Sequence, residues 1–309
     1  MIRKIICIIF SIIWVLNSHS QEFGTHWISY PFPDDSTEVM FRHTYITKHR
    51  PQQAYITFAS MGSCKVYINE RNVSREVYYR NTTPQGILLH TYDVTRYLRP
   101  DSNTIAVWYA PCPQATAYSQ NAASKQLTLD YYGTSHNGSA FYQQADESWS
   151  CSLSKGNRIT QDSIGNTIEV FDNRQYDNSW KASDFFQESE KPVHRLLKET
   201  KGIYTTLPTY PAYGNRLRHV LSPIAEYEDS LGLHYDFGRF FQGSVRITLR
   251  EAKKGERLEI NGLVYICSGE MDEQAFRRLS TSQQKSITIK GDRHFRKSQI
   301  QKIEGLEIY

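Results

Sequence analysis

The chain has 309 residues, 39% of them apolar and 13% aromatic, which suits a folded protein of roughly two domains at about 150 residues each. Its 36 basic and 32 acidic residues leave a net charge of +4, and no long Lys/Arg block is present to follow a phosphate backbone, so nucleic acid is not an expected partner. The 21 tyrosines suit strands and also surfaces that stack on sugar rings.

Residues 1–20 read as an export signal. Arg3 and Lys4 precede the apolar run Ile5 to Leu16, and Ser18-His19-Ser20 supply small residues before Gln21. As a helix that run reaches about 18 Å, short of a ~30 Å hydrocarbon core, so cleavage rather than anchoring is expected. No later stretch is long and apolar enough to span a membrane, and the product is expected to be secreted or periplasmic. In an oxidising compartment Cys64, Cys112, Cys151 and Cys267 allow three fully paired connectivities. Cys112 with Cys151 is the favoured pair, and buried free thiols remain the alternative. The spacing contains no CxxC, HxxxH or HxxEH, so no metal and no cofactor are expected.

From Trp27 to Tyr45 the chain becomes extended around Val39, Phe41, His43 and Tyr45 and reads as a strand. Asp34 and Asp35 sit in a Pro-flanked turn, where solvated acids are commoner than calcium ligands. Ala54, Ile56 and Phe58 alternate, Gly62 interrupts, and Val66 and Ile68 alternate before the turn Asn69-Glu70-Arg71-Asn72, which predicts hairpin-linked strands. The strand pattern recurs at Ile105 and Val107, then at Leu127, Leu129 and Tyr131, and Gly133 to Ser139 reads as a polar loop. Glu169 and Asp172 are three residues apart in an extended segment. They therefore fall on opposite faces, and a salt link from Arg174 fits them better than a hydrolytic pair. Residues 189–222, rich in charge and then in Pro and Tyr (Pro208, Tyr210, Pro211, Tyr213), read as a connection between domains.

In residues 234–249, HYDFGRFFQGSVRITL, an aromatic bend with Gly238 and Gly243 feeds a strand. Its apolar Val245, Ile247 and Leu249 alternate with Arg246, Thr248 and Arg250. Leu258 and Ile260 form a further strand, Asp272 to Arg278 is expected to form one or two helical turns, and strands resume at Ile287, Ile289 and from Ile300 to Ile308. Long amphipathic helices are not apparent.

Several of these stretches resemble the non-catalytic β-sandwiches of bacterial α-L-rhamnosidases. They are Tyr67-Ile68-Asn69, Tyr92-Asp93-Val94-Thr95 with Leu98, Asn103, Ile105 and Val107, Asp146 to Trp149, Glu169 to Arg174, and Tyr235 to Gly238 with Phe241, Gly243, Val245 and Arg246. Ala110-Pro111-Cys112-Pro113-Gln114 departs from the family, which has a glycine-rich segment there. The resemblance implies an all-β chain of two antiparallel β-sandwich domains, jelly-roll or galactose-binding-like, with few short helices. It places the first at 22–188 and the second at 223–309. It also implies that the acids of catalysis belong to a helical barrel that follows these sandwiches in the family and is absent here.

The expected function is therefore a noncatalytic carbohydrate-binding or accessory protein, with a plant-type or rhamnose-containing glycan as ligand. Trp149, Trp180, Tyr235, Asp236 and Phe240 are the candidate contacts, and no catalytic residue is assigned. One alternative is a hydrolase with a site among the loops, for which Glu270, Asp272 and Glu273 are the first acids to consider. Another is a subunit that docks on a separate catalytic glycosidase chain.

Overall fold

The computed structural model describes residues 26–32, 37–73, 82–83, 86–110, 126–185, 191–196, 206–208 and 216–309. The fold is all-β, with short 3-10 turns at Thr95–Tyr97, Asn178–Lys181 and Lys297–Gln299. The segment 1–20 expected to be an export signal, Asp34 and Asp35, Tyr210 to Gly214, and Cys112 with its expected pairing lie outside the described residues. Cys64 and Cys267 are buried free thiols.

Two sheets build the first sandwich. One runs in the order His194–Leu196, Trp27–Ser29, Gln126–Thr134, Gln53–Ser60, Gly86–Asp93, Thr206–Pro208, and Ala140–Gln144 pairs with Gln126–Thr134. The facing sheet contains Ser150–Gln161, Thr37–Ile46, Ser102–Ala110 and Ser63–Ile68 side by side. Period-two alternation sends Ile56, Phe58, Leu127, Leu129 and Tyr131 inward from the first, and Val39, Phe41, Val66, Ile105 and Val107 inward from the second, into one buried cluster.

The strand Gln53–Ser60 and the strand Ser63–Ile68 are not a hairpin. They pair in opposite sheets, so the chain crosses the sandwich at Met61–Gly62. The two-residue turn after Ile68 does close a hairpin, because Ile68 pairs with Arg71 and both Asn69 and Glu70 have positive φ, at 48° and 71°.

The second sheet continues into the second sandwich without a break. Thr167–Asp172 runs parallel to Leu263–Ile266, with Val170 opposite Val264, and Arg257–Ile260, Ser282–Gly291, Gly232–Arg250 and Ile300–Ile308 follow outward. Within the connection predicted at 189–222, Lys191–Pro192, His194–Leu196 and Thr206–Pro208 pair with strands of the first sandwich, and Leu217–Leu221 pairs with Ile300–Ile308.

The sheet of Thr37–Ile46 is covered on both faces. Met40 and Trp108 point away from the first core, into a second cluster with Phe171, Trp180, Val245, Ile247 and Leu258. A strand buried on both faces has no polar side to show, and the unbroken burial from Glu38 to Arg42 follows from this.

Gly232–Arg250 is one long strand. The aromatic bend is a bulge within it, where pairing shifts between Asp236 and Phe241, and Gly238 takes φ 77°, a left-handed geometry that suits a residue without Cβ. Asp236 accepts the Gly238 N–H at 2.6 Å. Residues Asp272–Phe276 form a strand against Arg246–Arg250 rather than helical turns. Glu273 and Ala275 are buried while Asp272 and Gln274 are exposed, a period of two that overrides local helical preference.

Candidate functional site

A cleft of about 390 Å³ opens at one end of the first sandwich. Its floor is aromatic. Tyr131 lies in ring contact with Tyr45, centroids 5.1 Å apart, and with Phe141 at 5.0 Å. Tyr45 comes from the end of the strand Thr37–Ile46, and Tyr131 and Phe141 from the two arms of the hairpin Gln126–Thr134 and Ala140–Gln144, so three strands converge there.

The walls are two pinned loops. In the first, Thr47 N–H donates to the Asp101 carbonyl at 2.9 Å, and the Thr47 hydroxyl to the Pro100 carbonyl at 2.7 Å. It carries Lys48, His49 and Pro51 into the lining. In the second, Ser135 N–H donates to the Ser139 carbonyl at 2.8 Å, closing the hairpin turn that presents His136 and Asn137. Gln52 Nε2 ties the loops together through the His136 carbonyl at 2.8 Å, and the His49 and His136 rings meet with centroids 4.9 Å apart.

Two hydroxyls at this floor have no hydrogen-bond partner. Tyr131 is 2% exposed and its Oη is unsatisfied. Tyr45 Oη, near the Trp149 indole, is also unsatisfied, and both oxygens are sealed from solvent. Burial pushes both phenols well above their usual range, so both keep their protons and stay donors.

The residues singled out from sequence do not form one site. Trp149 and Trp180 are each 1% exposed and fill different clusters. Trp149 stacks on His43 at 6.0 Å, Trp180 meets Tyr67 edge-on at 5.9 Å, and neither offers a face to a ligand. Tyr235 is buried and lines a separate cleft of about 450 Å³ on the second sandwich, Asp236 is half-buried and holds the bulge, and Phe240 is exposed. In that second cleft Lys297 already pairs with Glu226 at 2.9 Å. The strand that carries Tyr131 is legible in the alternation of Leu127, Leu129 and Tyr131, but nothing local says that the loop after Ile46 and a hairpin turn meet beside it.

The acids are committed elsewhere. Glu273 accepts from Tyr265 Oη at 3.0 Å, Ser268 N at 2.9 Å, Gly269 N at 2.8 Å and Asn173 Nδ2 at 2.9 Å. Asp272 pairs with Arg250, Glu270 lies exposed beyond both clefts, and Asp172 takes the Arg174 fork at 2.9 and 2.7 Å. Glu38, 2% exposed beneath Trp108, is pushed up to about 8 by burial and by the nearby Glu169 charge, yet neither carboxyl lines either cleft. Among the described residues no cluster of three or more His, Cys, Asp or Glu could hold a metal, and no helix is long and apolar enough to cross a membrane.

Residues 49–209 match the family described as the α-L-rhamnosidase N-terminal domain, and this range contains Tyr131, His136 and Phe141. Among solved structures, the α-L-rhamnosidase from Dictyoglumus thermophilum superposes with a TM-score of 0.79 at 19% identity, over 92% of this chain and 35% of its own. That of Aspergillus terreus gives 0.71 at 15%, over 93% and 36%. That of Streptomyces avermitilis, complexed with L-rhamnose, gives 0.68 at 18%, over 90% and 29%. The chain thus spans about a third of the length of these enzymes, and at such identities the likeness establishes the fold. No curated protein matches. With more than half of its length inside the family match, the chain belongs to the α-L-rhamnosidase N-terminal domain family.

Proposed function

We propose that this chain is an exported, noncatalytic carbohydrate-binding module, and that the cleft over Tyr45, Tyr131 and Phe141 holds the sugar. The observation that carries the reading is the open cleft of about 390 Å³ whose lining brings the Tyr45, Tyr131 and Phe141 rings into contact with one another. Sugar C–H faces pack on the Phe141 and Tyr45 rings while Asn137 and Gln143 meet hydroxyls at the rim. Hydrolysis of a glycoside uses two carboxyls facing the sugar, and no Asp or Glu lines this cleft, which supports the noncatalytic reading.

Rhamnose-containing and other plant-type glycans are the first ligands to try. Retention in affinity electrophoresis or on a glycan array, lost in Phe141→Ala, supports the proposal. Wild-type protein that passes every glycan unretarded contradicts it.

A second reading is favoured by the surface of the second sandwich, where Val220, Ile224, Tyr227 and Leu231 are all more than half exposed. Such apolar exposure suits docking on a separate catalytic glycosidase chain. A stable complex with a glycosidase of the same host in size-exclusion chromatography supports it, and independent elution contradicts it.

A further inference from the structure

We propose that the sugar taken by this cleft is anionic, carrying a uronate carboxylate or a sulfate. The inference rests on the reading of the cleft as a sugar site and adds the ligand's charge.

A neutral sugar presents hydroxyls that both donate and accept, and a site for it needs acceptors as well as donors. This cleft is rich in donors and poor in acceptors. The Tyr45 and Tyr131 hydroxyls are sealed beneath the floor, so the donors that face a ligand come from the two loops. Asn137 has its Oδ1 engaged by the Ser135 hydroxyl at 2.6 Å and the Ser139 N–H at 3.1 Å, which leaves the Nδ2 hydrogens as its donors. Lys48 brings an ammonium group. Gln143 supplies a carbonyl acceptor, but no lining residue is a carboxylate.

The charge points the same way. Lys48 enters from one loop, and the lining holds this ammonium group with no carboxylate to offset it. Asp101 meets the first loop through its main-chain carbonyl and is not among the lining residues. A carboxylate or sulfate has no hydrogen to donate and several lone pairs to fill, which complements this arrangement.

The test is an array that holds galacturonan oligosaccharides and their fully methyl-esterified forms, sulfated galactans and their unsulfated forms, and neutral rhamno-oligosaccharides. The expected result is tighter retention of a charged glycan than of its neutralised counterpart, weakened by added salt. The arm retained shows whether carboxylate or sulfate is read. Lys48→Gln, at an exposed position, should weaken the charged ligand roughly two- to fivefold, the scale of an exposed ion pair, with an unchanged melting temperature. Equal or better retention of the neutral counterparts overturns the inference and leaves the cleft a sugar site. Failure of every glycan to bind overturns the cleft reading and this inference with it.

Discussion

The Glu169 carboxylate accepts the Ser280 backbone N–H at 2.6 Å across 111 positions of sequence. It also takes the N–H groups of Arg278 at 2.7 Å and Leu279 at 3.1 Å, so an acid at the edge of the first sandwich caps a loop of the second. Replacing it by Ala strands three donors, each costing about 1–3 kcal/mol where water is excluded. Glu169→Ala is therefore expected to lose about 3 kcal/mol or more in urea unfolding, and Glu169→Gln, which keeps an acceptor, to lose less. Because the sheet runs through both sandwiches, wild-type protein should unfold in one transition. A Glu169→Ala midpoint equal to that of wild type contradicts this account of the junction.

Tyr131→Phe tests whether the buried hydroxyl is satisfied. The hydroxyl it removes has no partner, so the variant should keep wild-type stability within about 1 kcal/mol or gain slightly. Its affinity for a retained glycan should stay within about twofold of wild type, because the hydroxyl is sealed from the cleft and the ring that forms the floor is kept. A large loss of stability, measured by thermal unfolding, would show that the hydroxyl is satisfied within the protein.

Glu38 gives a pH dependence of known sign. Its folded-state carboxyl is raised from 4.5 to about 8 by burial first and the Glu169 charge second, against a hydrogen bond from Trp108 Nε1 at 2.6 Å. Between these values the unfolded chain gives up the proton and the folded chain keeps it. The contribution of this group is thus fully present below pH 4.5 and is lost as pH rises toward 8. Glu38→Gln should flatten that slope in unfolding measurements from pH 5 to about 8, and a slope unchanged by the substitution assigns it to other groups.

At Gly243 a Cβ would lie 1.9 Å from the Leu306 carbonyl oxygen, within the pairing of Gly232–Arg250 and Ile300–Ile308. Neither backbone can yield without breaking that ladder. Gly243→Ala should cost about 2–4 kcal/mol by thermal or urea unfolding, and a variant as stable as wild type would show that the strands can part there.

Strand identity was legible where one face is buried. Val245, Ile247 and Leu249 are 4%, 0% and 1% exposed, as their alternation with Arg246 and Thr248 requires. The Arg174 fork on Asp172 also follows from the short spacing of the two residues. Legibility fails where contacts are nonlocal. Nothing near Val170 announces a parallel partner at Val264, and Gln53–Ser60 and Ser63–Ile68 carry a hairpin's alternation while pairing in different sheets. Composition misleads at Trp149 and Trp180, because an indole suited to stacking on a sugar is as well suited to filling a core. The polar stretch from Gly133 to Ser139 reads as an ordinary loop, and its place at the cleft is set by His49 and Gln52, more than eighty residues earlier.

The central claim, that a glycan sits on the aromatic floor of the first sandwich, is tested most directly by NMR titration of the labelled protein with a retained glycan. The account predicts saturable shifts confined to residues around Tyr45, His136 and Phe141, absent in Phe141→Ala. Shifts centred instead on Tyr235 and Lys297, or a spectrum unchanged at saturating glycan, would contradict it.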